Sequence, residues 1–170
     1  ATAIGAEPDE IVFTGGGSES DNMVLRGVAA AKQKKGKHII TSAVEHHAVL
    51  YTLQAMEREG IADLTILPVD EFGLVTAEQV KDAIREDTVL VSIMFANNEV
   101  GTIMPIAEIG KVCHDAGVWF HTDAVQATGH VPIDVNQMHI DMLSMSAHKF
   151  HGPKGVGALL VKNGVRFAGG

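Results

Sequence analysis

A chain of 170 residues, 46% hydrophobic and 20% charged, has the make-up of one globular domain and not of a disordered segment. Its 21 Asp+Glu against 13 Lys+Arg leave a net charge of −8, which argues against a nucleic-acid backbone as partner. No apolar run nears the ~18 residues of a membrane span. The one cysteine, Cys113, excludes an internal disulfide framework and a Cys-rich metal site, and fits a reducing, cytoplasmic compartment.

Runs of strand length alternate with helical patterns along the chain. Glu10–Thr14 reads as a strand, Gly15–Ser18 as a loop, and Glu19 to Lys34 as a helix with Met23, Val24, Val28 and Ala31 on one face. Gly36 stops that helix. A strand over His38–Ser42 and a helix over His47–Glu59 come next, then a strand over Leu64–Val69 and a turn at Asp70–Gly73. Thr76 to Gln79 has the pattern of a capped helix start, with the helix reaching Arg85. The continuous apolar run Thr88–Met94 predicts a strand buried on both faces. A helix over Ile106–Ala116, stopped by Gly117, precedes strands at Val118–Thr122, Met142–Ser146 and Gly157–Val161. About seven strands with helices between most of them predict an α/β fold, a mostly parallel sheet flanked by helices. The 18 Gly against 6 Phe, 1 Tyr and 1 Trp suit that class better than a β-sandwich. The chain starts without Met and stops just after a strand, so it is expected to be part of a longer protein.

In an open α/β sheet, ligands bind at the carboxyl ends of the strands. The segments just after the predicted strands are polar and titratable: Gly15–Ser20, Ala43–His47, Asn97–Glu99, Asp123–Gln126 and Ser146–His151. Five loops therefore converge on one edge. Gly15–Ser18 opens a helix, where backbone N–H groups bind phosphate; an ordinary glycine-rich turn remains the alternative. Neither the dinucleotide fingerprint nor the Walker A pattern is present. Lys149, between two histidines, is a candidate amine for Schiff-base chemistry, against a plain surface lysine and against Lys154. Asp123 could hold a proton on a heterocyclic nitrogen or cap a helix. His46 and the excess of histidines raise a metal site as a competitor, but no His-Glu-x-x-His occurs and no metal is expected. Cys113 shares a helical stripe with Ile106, Ile109 and Val112, which predicts a buried, inert thiol.

Five segments together resemble the cysteine desulfurases of the NifS/IscS type, in the class-V aminotransferase group of pyridoxal-phosphate (PLP) enzymes. They are Glu10–Asn22, Ser42–Leu50, Ala96–Thr102, His121–Gly129 and Ser146–Gly157. The resemblance implies the large domain of PLP fold type I, a seven-stranded sheet with its last strand antiparallel. It assigns residues 1–170 to that PLP-binding domain, with an N-terminal segment and a C-terminal small domain outside the chain. It implies that Lys149 bonds the cofactor covalently and that Asp123 pairs with the pyridine nitrogen. His46 would stack on the ring and handle protons, Gln126 would contact the phenolic oxygen, and Asn98 would lie near that oxygen. Gly17, Ser18, Ser146 and His148 would hold the phosphate, with Ser18 where many members carry Thr. The implied activity converts L-cysteine to L-alanine and leaves persulfide sulfur for an iron–sulfur scaffold protein, in a homodimer. A selenocysteine lyase, another class-V enzyme, or a catalytically incompetent PLP-binding or dimerisation fragment are the alternatives. Cys113 does not match the family's sulfur-accepting cysteine, which would fall after Gly170.

Overall fold

The structure, a computed structural model, describes residues 5–97, 102–125, 133–146 and 156–165. Seven strands form one sheet: β1 (Ile11–Thr14), β2 (His38–Ser42), β3 (Asp63–Leu67), β4 (Thr88–Ser92), β7 (Trp119–Asp123), β8 (Met142–Ser146) and β9 (Gly157–Val161). Between β4 and β7 lies a short antiparallel hairpin of β5 (Ala96–Asn97) and β6 (Thr102–Ile103). The helices are α1 (Gly17–Ala31), α2 (His47–Arg58), α3 (Ala77–Ala83) and α4 (Ile106–Ala116).

The sheet order is β1-β9-β8-β7-β4-β2-β3. Strands β8, β7, β4, β2 and β3 run parallel, and β9 is antiparallel to both of its neighbours. The expected seven-stranded, mostly parallel sheet with an antiparallel last strand is therefore present.

Successive strand residues point to opposite faces, and the core divides accordingly. Ile39, Leu90, Met142 and Leu159 meet Val24, Leu25 and Val28 of α1 and Val49, Leu53 and Met56 of α2. Their chain neighbours Ile40, Val91, Leu143 and Leu160 face the other way, onto Val80 of α3 and Ile106, Ile109 and Cys113 of α4. A sheet covered on both faces explains why its strands read as unbroken apolar runs.

Several boundaries differ from the sequence reading. Helix α1 starts at Gly17, not Glu19, because Gly17 and Ser18 already belong to its first turn. It ends at Ala31, and Ala31 is exposed, since the buried stripe runs through Val24, Leu25, Val28 and Ala29. Strand β3 starts at Asp63 and stops at Leu67, before Pro68, which has no N–H for the ladder. Helix α3 has the expected cap: Thr76 accepts from Gln79 N–H at 3.1 Å and Gln79 accepts from Thr76 N–H at 2.9 Å. Gly117, at φ 70°, ends α4 in the left-handed conformation that glycine adopts without strain.

Cys113 is fully buried, as its stripe predicted, and burial together with the charge of Asp141 pushes its thiol up to about 12. Val112 of the same predicted stripe is only partly buried. Among the described residues no helix is long and apolar enough to cross a membrane.

Gly110 of α4 lies against the turn that leads into β8. A Cβ there would stand 1.8 Å from the Met138 carbonyl oxygen, a backbone atom with no rotamer to move. Gly110→Ala is therefore expected to destabilise the chain by about 1–3 kcal/mol through overpacking, despite alanine's better helix propensity. A urea melt checks this; an unchanged midpoint would mean that the turn yields freely.

Candidate functional site

The end of β7 and the segments that follow β1 and β2 meet at one small cavity of about 110 Å³, lined by Gly17, Ser18, Asp21, His46, Asp123 and Val125. A larger cavity of about 520 Å³ lies by Gly36, Lys37 and Gly60, at the amino ends of β2 and β3. That is the wrong edge for an α/β site.

The first wall is the start of α1. Its N-cap is Gly16, which offers no side chain, so the N–H groups of the first turn have no cap within the helix. The turn is tied from behind. Thr14 Oγ1 donates to Gly16 O at 2.9 Å and contacts Ser20 Oγ at 2.7 Å, and Gly15 N–H donates to Glu19 Oε2 at 2.8 Å. Two close approaches require glycine. A Cβ on Gly17 would meet Val125 Cγ2 at 2.7 Å, and one on Gly157 of β9 would meet the Gly16 carbonyl at 2.5 Å. The helix start is thus pressed against β9 and against the segment after β7. First-turn N–H groups without a side-chain cap, at the positive end of the helix dipole, suit an anion such as phosphate.

The second wall is His46, the N-cap of α2. Its Nδ1 accepts the Ala48 N–H at 3.1 Å. A neutral ring so placed carries its proton on Nε2. The third wall is Asp123, the last residue of β7, 5% exposed. Asp123 Oδ1 accepts the Val125 N–H at 2.9 Å and fixes the turn out of the strand.

Behind these walls lies an acidic layer that the sequence reading missed. Asp21 of α1 is 1% exposed and Glu45, next to His46, is 5% exposed. Burial, then the charge of Asp123, pushes the Asp21 carboxyl far above the usual carboxylate range. Burial raises Glu45 to about 8, although Ser42 Oγ and the Met94 N–H both donate to it and Asp123 adds repulsion. His121, one residue from the surface of the site on β7, donates or accepts at Ser92 Oγ (2.7 Å) and at Ser144 Oγ (2.8 Å). Burial lowers its pKa to about 4. The 3.5 Å approach of His121 Nε2 to Asp21 Oδ1 is therefore a contact of two neutral groups, not an ion pair. Helical register was the available signal for Asp21: it lies four residues after Gly17 and three after Ser18, hence on their face.

Of the nine candidate residues, Gly17, Ser18, His46 and Asp123 come together in this cavity. Ser146 closes β8, beside β7 on the same sheet edge. Lys149, Asn98, Gln126 and His148 lie outside the described residues. The histidine excess has structural uses. His38 bridges Thr88 and Thr65 across three strands at 2.6 and 2.7 Å, and His114 stacks on His139. Among the described residues no three His, Cys, Asp or Glu are grouped to hold a metal ion.

The comparisons with known proteins point to one family. The family described as Aminotransferase class-V matches residues 1–167. The chain is 62% identical over 164 residues to cysteine desulfurase IscS of Clostridium botulinum (strain Kyoto / Type A2), covering 96% of this chain and 41% of the relative. It is 57% identical over 166 residues to cysteine desulfurase IscS of Methanosarcina thermophila, covering 98% and 41%. Among solved structures, "SspA in complex with cysteine" superposes with a TM-score of 0.89 at 47% identity, over 96% of this chain and 47% of that one. A "NIFS-like protein" superposes with a TM-score of 0.90 at 41% identity, over 98% and 46%. The chain thus spans about two fifths of the length of the curated relatives it matches, 41% of each of these two.

Proposed function

This chain belongs to the class-V aminotransferase family, a PLP-dependent family, and from that premise we propose that residues 1–170 are the PLP-binding domain of a cysteine desulfurase. The observation that carries the proposal is the meeting of a helix N-terminus, a histidine and a buried carboxyl group in one cavity at the carboxyl ends of β1, β2 and β7. That donor set fits PLP. The open first turn of α1 suits its phosphate, and a carboxylate at the end of β7 suits its ring nitrogen.

PLP, when bound, supplies an electron sink for the charge left at the substrate's α carbon. The chain supplies the rest. Gly17 and Ser18 would hold the phosphate with backbone N–H groups and the Ser18 hydroxyl. Asp123 would accept a charge-assisted hydrogen bond from the ring nitrogen and keep it protonated. His46 would present its Nε2–H across the ring face, because Nδ1 is engaged in the cap of α2. Lys149 stands three residues beyond the end of β8 in sequence, and the resemblance assigns it the covalent link. Asn98, Gln126, Ser146 and His148 are assigned to the ring and phosphate on the same ground.

L-cysteine as substrate rests on the names of the relatives and on the cysteine-bound neighbour. Sulfur transfer to an iron–sulfur scaffold protein, a homodimer and a cytoplasmic location belong to the same proposal and rest on the resemblance. Cys113 is not the sulfur acceptor in this reading: it is fully buried on α4, and a thiol held at about 12 is not a nucleophile near neutrality.

The test is direct. Incubating the chain with PLP should produce a new visible absorption band, and borohydride reduction with subsequent peptide mapping should find the pyridoxyl label on Lys149. A label on Lys154 or Lys37, or no saturable binding, would overturn the assignment.

A further inference from the structure

His46 and Asp123 stand on strands that are not neighbours in the sheet, since β4 lies between β2 and β7. The chain just past β4 joins them. The last β2–β4 pair is Thr41 with Ser92, so Met94 lies beyond that ladder. Met94 is 3% exposed, and a backbone N–H buried there needs a partner. Glu45 Oε2 accepts it at 3.0 Å. The same oxygen accepts the Ser42 hydroxyl at the end of β2. One residue on, the Phe95 N–H donates to the Asp123 carbonyl oxygen at 2.8 Å. Glu45 itself directly precedes His46, whose carbonyl oxygen takes the Val49 N–H at 2.9 Å and whose ring caps α2.

We propose that Glu45 is a positioning residue: its carboxyl group braces the turn after β2 against the segment after β4, and so fixes the spacing of His46 and Asp123 across the site. The brace acts where the β2–β4 backbone ladder has stopped. Backbone bonds hold the two pieces on their outer sides. Ala43 N–H to Leu67 O at 3.0 Å ties the turn to β3, and Ile93 N–H to His121 O at 3.1 Å ties the other segment to β7. Between the pieces, among the described residues, the hydrogen bond is the one that Glu45 accepts. Both donors meet one oxygen, so glutamine can replace glutamate in this role, and a side chain with no acceptor cannot. The role toward PLP rests on the function proposed above; the brace does not.

Two measurements separate the two. The first follows amide hydrogen exchange by NMR in the chain without PLP. In Glu45→Met, of similar length and without an acceptor, the Met94 and Phe95 amides should exchange about 10-fold faster or more, as befits one lost hydrogen bond. Leu90 and Val91, inside β4, should keep their rates, and Glu45→Gln should match the parent throughout. Parent-like rates at Met94 and Phe95 in Glu45→Met, or an equal rise at all four amides, would overturn the brace whether or not the chain binds PLP. The second compares PLP affinity by absorption titration. Glu45→Gln should bind within about twofold of the parent and Glu45→Met about 10- to 100-fold more weakly, as losses of supporting hydrogen bonds do elsewhere. Unchanged affinity in Glu45→Met, or equal loss in both variants, would overturn the positioning role. If the methionine variant fails to fold, Glu45→Asp, one methylene too short to reach both donors, replaces it with the same expectations. A parent chain that binds no PLP would refute the function proposed above and leave the exchange rates to decide on Glu45.

Discussion

Asp123→Asn is expected to weaken PLP binding by about 10- to 100-fold, the equivalent of one charge-assisted hydrogen bond of ~1.5–3 kcal/mol. Without PLP, the same variant should melt at the same temperature as the parent or higher. The amide keeps the oxygen that accepts the Val125 N–H, so the turn out of β7 survives. It also removes one charge from a buried group beside Asp21 and Glu45, whose carboxyl groups that charge disfavours. A PLP titration and a thermal melt without PLP check the two halves. A lower melting temperature with unchanged affinity would make Asp123 a turn-forming residue with no part in holding the cofactor.

Without PLP, the chain should lose stability as pH rises above neutrality. Glu45 is raised from 4.5 to about 8, chiefly by burial, and Asp21 is raised in the same sense by burial and by Asp123. In the unfolded chain both would ionise at ordinary carboxylate values. Between those values and the folded ones the native state holds the extra protons, so stability falls with rising pH. Their contribution is fully present below the unfolded values and lost as pH passes through about 8 for Glu45. His121 acts oppositely: burial lowers it from 6.5 to about 4, so the unfolded state binds the extra proton in that window and stability rises with pH. His38, lowered by burial and by Arg85, adds to that rise. The two trends oppose each other in mild acid; above about pH 6.5 the carboxyl trend remains, and the buried Cys113 thiol, raised from 9.0 to about 12, adds to it in stronger alkali. Each proton taken up steepens the decline by roughly 1.4 kcal/mol per pH unit. Melting temperatures measured from mild acid to mild alkali should therefore be flat and then drop by several degrees. Glu45→Gln should lessen the drop. A constant melting temperature across the alkaline limb would show that these carboxyl groups are already ionised in the fold.

Much of this site was legible because periodicity and polarity agree at the ends of β1, β2 and β7. Asp123 ends a strand and His46 lies in the short connection after one, and chain order alone places such residues on one edge of a parallel sheet. Asp21 was not legible as a site residue, because it sits inside a helix, where an acid usually faces solvent. Its burial becomes visible only when α1 is started at Gly17, a boundary that the three glycines hid. The β5–β6 hairpin escaped for another reason: two residues per strand are too few to show a period. The exposed Val12 and Phe13 of β1 show the limit from the other side, since an apolar run at the sheet edge need not be buried.

The sheet order has a bearing on how the site comes into being during synthesis. Strand β1 is one of the two edge strands and pairs with β9 alone, Ile11 opposite Leu160 and Thr14 opposite Gly157. At ribosomal speeds of about 5–20 residues per second, the first strand waits on the order of 7–30 s for its partner. Until then the helix start behind β1 has no floor, since Gly157 is the residue against which Gly16 rests. The proposed phosphate cradle is thus written near the beginning of the message and closed near the end of this stretch. A nascent chain released before β9 would have its α1 and α2 but no seat for an anion.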